Sequence, residues 1–288
     1  MKAKTIKAAL RKKVNEWTAS IEDQAVRHLA EENTMVTGGA IASMLLNEPV
    51  NDFDIYFRNA ASAEAVARYY VGKFAEAGHP LALDIADGRI RITTTSGHRG
   101  ETAGSVETLG SDQIDDVYEA AEEAALQTED DGLPKYRPVF MSTNAITLSH
   151  KVQIVLRFYG EPDTIHENYD FVHCTNYWSS WNDSLTLRHP ALEALLAREL
   201  RYVGSKYPVC SVIRLRKFIR RGWTINAGQI LKMVMQIAEL DLTNPKVLED
   251  QLTGVDSAYF MQLMTKLREK DPEKVNAAYL VEIIDRMF

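Results

Sequence analysis

MVTGGAIASMLLNEPVNDFDIYF, residues 35–57, runs through a short strand, a glycine turn, a helical stretch, a loop and a second strand. The second strand carries Asp52 and Asp54. Strand residues two apart point to the same side, so both carboxylates share one face while Phe53, Ile55 and Phe57 turn toward a core. Neighbouring carboxylates repel each other unless a cation sits between them. Mg2+ (or Mn2+ in its place) suits this position, because it takes hard oxygen ligands and often joins one or two carboxylates to phosphate oxygens. Gly38-Gly39 ends the first strand and opens the helix, where unpaired N–H groups and the helix dipole favour an anion. Glycine there also lets a phosphate approach the backbone closely. The plain alternative for this stretch is a structural β-α-β segment with a surface Asp pair.

A Gly-Gly pair followed by Asp-x-Asp and apolar residues resembles the signature of the DNA polymerase β-like nucleotidyltransferase superfamily. Locally, GGAIASMLLNEPVNDFDI is most similar to the corresponding stretch of CCA-adding enzymes and bacterial poly(A) polymerases. The match covers roughly a tenth of the chain. It departs from the pattern at Ala42-Ser43, where an Arg-Asp pair is expected, and at Asn47, where a glycine is expected. The superfamily resemblance survives these departures, but a tRNA-maturing role does not follow from it.

The resemblance implies transfer of a nucleoside monophosphate from an NTP to an acceptor, with Asp52 and Asp54 as metal-binding catalytic residues. It also implies a third carboxylate on a later strand. Asp170, within Asn168–Cys174 read as a strand, is placed for that role; the alternative is an Asp at a strand edge capping a turn. Gly38, Gly39 and Ser43 are the nucleotide-binding candidates at the glycine turn. Asn144 joins them because Ser142–Ala145 echoes another element of the CCA-adding family, though it could equally cap a turn.

At 288 residues the chain has room for two packed domains, and its 45% hydrophobic and 25% charged content is that of a soluble globular protein. The net charge of −7 means that nucleic-acid binding would need a local basic patch. Cys174 and Cys210 are too few for a disulfide framework, and no apolar run approaches a membrane span, so a cytoplasmic protein is expected. His173 and Cys174, adjacent on a strand, would point apart, which excludes a Cys–His nucleophile pair.

An amphipathic N-terminal helix is expected over residues 3–31, with a basic first half. Ala60–Ala77 reads as a helix stopped by Gly78, and Arg89–Thr93 as a strand. Residues 97–135 read as an acidic insertion, solvated rather than metal-binding. Val139–Met141, Asn144–Leu148 and Lys151–Tyr159 read as strands. Tyr177, Trp178 and Trp181 fit either a domain seam or a base-stacking surface.

From Pro190 the pattern is helical. Val212–Arg221 has Val212, Leu215 and Ile219 on one stripe and a cluster of cations beside them. Arg214, Arg216, Lys217, Arg220 and Arg221 form a candidate RNA contact. Lys206, Lys217 and Arg221 are further nucleotide-binding candidates, since cations of the helical body commonly meet the triphosphate in the resembled superfamily. A solvated helix face is the alternative.

The expected fold is therefore α+β. An N-terminal helix (1–30) precedes a nucleotidyltransferase head with a small mixed sheet (31–185), which packs on a helical domain (186–288). The expected acceptor is an RNA 3′ end such as that of tRNA. The alternatives are a protein or small-molecule acceptor, or a non-catalytic nucleotide-binding relative.

Overall fold

The computed structural model describes residues 1–76, 81–86, 88–94, 134–142 and 144–242, with 244, 247, 250 and 251 beyond them. They fall into two units. The first holds the described residues up to His166 together with Val172–Ala197, and the second holds Glu167–Phe171 and those from Arg198 onward.

The first unit begins with two helices, α1 (Ala3–Ala19) and α2 (Gln24–Asn33), where a single helix over 3–31 is expected. Asp23 makes the break: its carboxylate accepts from the N–H groups of Ala25 at 2.8 Å and Val26 at 3.1 Å and so caps α2. Asp23→Ala should cost about 1 kcal/mol, readable as a lower urea midpoint at unchanged slope. α1 is not a separate N-terminal domain. Ile6, Leu10, Val14 and Trp17 recur at helical spacing and are buried in the same core as the sheet. The Trp17 indole donates to the Tyr70 hydroxyl at 2.9 Å on α4 (Ala60–Glu76), tying the two helices together.

The strands are β1 (Thr34–Thr37), β2 (Phe53–Phe57), β3 (Leu81–Ala86), β4 (Arg89–Thr94), β5 (Pro138–Met141), β6 (Ala145–Leu148), β7 (Val152–Tyr159), β8 (Tyr177–Ser179) and β9 (Ser184–Thr186). Seven of them form a sheet in the order β5-β6-β7-β2-β1-β8-β9, and β3 and β4 form a separate hairpin. Only the β2–β7 pair of the seven-stranded sheet is parallel, which makes the fold a mixed α+β one, as expected. Val36, Ile55, Phe57, Val152, Ile154, Leu156 and Trp178 lie in the core with α1 and α4, and Phe53 packs against its rim. That is the apolar face expected from period-two alternation. Thr37 and Asp54 point to the opposite face.

Helix α3 (Gly39–Leu46) joins β1 to the loop before β2, and α5 (Pro162–His166) follows β7. Residues 168–174 do not form the expected strand. They contain a single 3-10 turn at Val172–Cys174, and Phe171 makes an isolated bridge to Tyr202. The first unit also runs past residue 185 and takes in α6 (His189–Ala197), so the division falls at Arg198. Helix α6 stops there because Arg198 turns into the left-handed region at φ 48°. The acidic insertion, apart from residues 134 and 135, lies outside the described residues, as do Gly78 and nearly all the helices expected after residue 242.

In the second unit the helices are α7 (Pro208–Arg220) and α8 (Ala227–Ala238), with Pro208 starting the first and Asn226 capping the second. Phe218 of α7 meets Phe171 at 5.6 Å and Trp223 at 6.0 Å between ring centres. The apolar stripe of α7 is largely open: Val212 and Ile219 are 45% and 50% exposed. The aromatic ring won the inward position because it buries more apolar area. Among the described residues no helix is long and apolar enough to cross a membrane.

Candidate active site

The register of β1 against β2 builds the site. Thr37, the last residue of β1, lies opposite Asp54, and the chain turns at once into α3. The glycine turn and the Asp pair are therefore adjacent although the loop between them is long. Asp54 is half-buried on β2, with Gln153 of β7 level with it on the other side. Asp52 is exposed in the loop just before the strand, two residues earlier.

Gly38 occupies the cap position of α3 at φ 87° and ψ −147°, a conformation that demands glycine. Its N–H donates to the Cys174 carbonyl at 3.1 Å, which pins the turn. A glycine cap offers no side-chain acceptor to the first turn of α3, so that end keeps the anion-attracting character of an uncapped helix start. Gly39 has an ordinary φ, and a Cβ built there would meet no protein atom within 4 Å. The space in front of it is clear for a closely lying ligand. Ser43, half-buried one turn further on, accepts the Glu48 N–H on its carbonyl at 2.8 Å.

Behind the turn lies a polar cluster that sequence reading missed. The buried Thr37 hydroxyl donates to the Asn176 carbonyl at 2.9 Å, and His166 Nε2 lies 2.8 Å from the same oxygen. The hydroxyl proton is committed, so the neutral imidazole donates through Nε2–H. Burial lowers the His166 pKa to about 4, with the nearby Arg188 charge adding to the effect and Asp163 opposing it. His173, also buried, is lowered to about 4 by burial. No local pattern marks these residues; His166 is 129 positions from Thr37.

The other predicted residues are placed elsewhere. Asn144 stands before β6, its carbonyl accepting from Leu156 N at 2.8 Å. That level is three residues along β7 from Gln153, about 10 Å from the level of Asp54. Asn144 thus stands in the turn between β5 and β6, at one end of those strands. Trp178 is buried in the core with its indole donating to Asp183 at 3.2 Å, and Trp181 lies under the Arg58 guanidinium at 5.0 Å. The basic start of α1 is partly consumed too: Lys7 and Arg11 pair with Asp183, and Lys13 lies over the Phe53 ring at 5.2 Å.

Among the described residues no three or more His, Cys, Asp or Glu side chains form a group that could hold a metal. Asp170 belongs to the second unit, 5% exposed, where its carboxylate accepts from Ser211 Oγ at 2.8 Å and pairs with Arg214. A buried carboxylate needs such partners, and these supply them. Removing one partner strands the other, so Arg214→Ala should destabilise the protein by about 2–3 kcal/mol, with Asp170→Asn plus Arg214→Ala recovering part of the loss. Chemical denaturation of the two variants checks this. With Arg214 so engaged, Arg216, Lys217, Arg220 and Arg221 are the exposed cations on and just after α7, and Lys206 lies exposed over the Tyr207 ring at 5.9 Å.

A profile for the Gabija anti-defense 2 family protein matches residues 8–198, about two thirds of the chain. The chain belongs to the Gabija anti-defense 2 family. The matched span takes in the glycine turn, the Asp pair and the Thr37–His166 cluster. A curated relative, Gabija anti-defense 2 of Bacillus phage SPbetaL7, is 19% identical over 259 residues, which cover 89% of this chain and 50% of the relative. The chain thus spans about half the length of that relative. Among solved structures, the Thermotoga maritima CCA-adding enzyme complexed with tRNA is similar at a TM-score of 0.40, with 15% identity, 94% of this chain and 53% of that one. The Bacillus stearothermophilus CCA-adding enzyme in complex with CTP is similar at a TM-score of 0.39, with 13% identity, 88% of this chain and 52% of that one.

Proposed function

We propose that this family member transfers a nucleoside monophosphate from an NTP to an acceptor hydroxyl with release of pyrophosphate. One observation carries the reading: the Thr37–Asp54 register, which sets an uncapped, glycine-started helix beside Asp54, with Asp52 two residues earlier in the adjoining loop. The donor set suits a hard divalent ion, since Asp52 and Asp54 offer carboxylate oxygens and no sulfur or imidazole. When bound, Mg2+ or Mn2+ supplies charge neutralisation at the phosphoryl oxygens. Asp52 and Asp54 hold it, the first-turn N–H groups of α3 hold triphosphate oxygens, and Gly39 leaves room for them. Thr37 and His166 keep the turn in place. Asp170 is left out of this set because its carboxylate is already engaged by Ser211 and Arg214. Such chemistry needs positioning more than a special nucleophile.

The family's name supports an acceptor that belongs to a defence system, a protein or a small molecule, in place of a maturing tRNA. An RNA 3′ end is the second reading, supported by the exposed Arg216, Lys217, Arg220 and Arg221. Incubation with α-labelled NTPs, Mg2+ or Mn2+, total RNA and a lysate of cells carrying Gabija separates the two. Label on protein or a metabolite supports the first acceptor class and label on RNA the second. No incorporation with either metal would sink the enzymatic reading.

A further inference from the structure

The turn between β6 and β7 is built in a way that its sequence does not require. Leu148 pairs with Val152, which leaves Ser149, His150 and Lys151 to make the connection. His150 and Lys151 stand at φ 64° and φ 62°, consecutive left-handed positions that glycine or asparagine would occupy with less strain. Lysine at such a place is explained by what its side chain does. Lys151 Nζ donates to the Val50 carbonyl at 3.0 Å, and the Lys151 carbonyl accepts the Phe53 N–H at 2.8 Å. One residue therefore grips the chain on both sides of Asn51-Asp52. The turn is itself held: Lys13 Nζ donates to the His150 carbonyl at 3.1 Å and lies over the rings of Phe53 at 5.2 Å and Tyr136 at 5.5 Å. Asp52 is otherwise an exposed loop residue, outside the ladder that orients Asp54.

We infer that Lys151 is a positioning residue, whose paired bonds to Val50 and Phe53 fix the loop and aim the Asp52 carboxylate alongside that of Asp54. The grip is a property of the fold; its consequence for a metal rests on the proposed role of Asp52. A ligand that must be held in a set geometry commonly depends on such a supporting contact. The left-handed backbone makes the test clean. Lys151→Gly keeps or relaxes the turn and removes only the side-chain bond, and Lys151→Met keeps the bulk without the charge.

Amide hydrogen exchange over residues 50–54 is the first measurement. Both variants should exchange about tenfold faster there, the loss expected of one hydrogen bond from a charged group, with β7 unchanged. Mn2+ binding followed by electron paramagnetic resonance is the second. Affinity should fall about ten- to a hundredfold in both variants, while Asp52→Asn marks the effect of removing the ligand itself. Wild-type exchange in both variants would overturn the grip. Faster exchange with undiminished Mn2+ affinity would overturn its role in aiming Asp52. A wild-type protein that binds no Mn2+ would remove the metal reading of the Asp pair, and with it the aiming of Asp52, while exchange alone still decides the grip.

Discussion

Asp54→Asn is expected to lower nucleotidyl transfer by about a hundred- to a thousandfold, the scale on which removal of one group stabilising transition-state charge is felt. The substitution keeps the size and the β2 ladder, so Thr37 still faces position 54 and the glycine turn is undisturbed. It removes one of two like charges two residues apart, so any change in rate is read beside any change in stability. Single-turnover incorporation of labelled NTP, with thermal unfolding of the same preparation, separates these effects. Asp52→Asn should behave similarly, and the double variant should lose little beyond either single one, because residues acting as a unit are not additive. A wild-type rate in Asp54→Asn would remove the Asp pair from the chemistry.

Acid should unfold the protein earlier than its carboxylates alone dictate. His166 and His173 are 6% and 1% exposed, and each has its pKa lowered to about 4 from the ordinary 6.5. Between those values the folded protein binds fewer protons than the unfolded chain, so stability rises with pH through that window. The contribution is complete above about pH 6.5 and is lost as pH falls to about 4, on the order of 3 kcal/mol for each histidine at neutral pH. Arg188 beside His166 steepens the loss there, and Asp163 softens it. Urea midpoints at pH 7.5, 6 and 5 check this. His166→Gln and His173→Gln should each flatten the pH dependence, whatever their effect on absolute stability. An unchanged slope in both variants would mean that the two rings are not buried neutral.

The two results bear on one region. Thr37 links the His166 cluster to the strand end opposite Asp54, so protonation that opens the cluster should also loosen the glycine turn. Activity measured above pH 6.5 avoids that complication.

Much of the site is legible in the amino-acid sequence because its signals are local. Period-two alternation in Phe53–Phe57 marks β2 and its core face, and Gly38-Gly39 marks a strand that turns into a helix. These patterns depend on neighbours a few residues away. The break between α1 and α2 is legible in principle as well: Asp23 before a new apolar pattern is a cap signal, but continuous helical spacing across residues 20–23 masks it.

What local pattern does not supply is the partner of each polar group. Asp170 reads as a third metal ligand while its surroundings are unknown, and as half of a buried ion pair once Arg214, 44 positions later, is seen beside it. Val212 and Ile219 read as one apolar stripe, but helical spacing says which residues share a face, not which face is turned inward, and both stand about half exposed. Lys151 reads as the first residue of a strand, and only the fold places it in a turn with its ammonium on Val50, 101 positions earlier. By itself, then, the sequence determined the α+β character, the glycine turn and the strand that carries Asp54, which follow from local backbone periodicity. The tertiary structure alone decided the register that joins turn to carboxylates, the clamp on Asp52 and the pairing of Asp170, because burial and long-range hydrogen bonding are settled between distant segments.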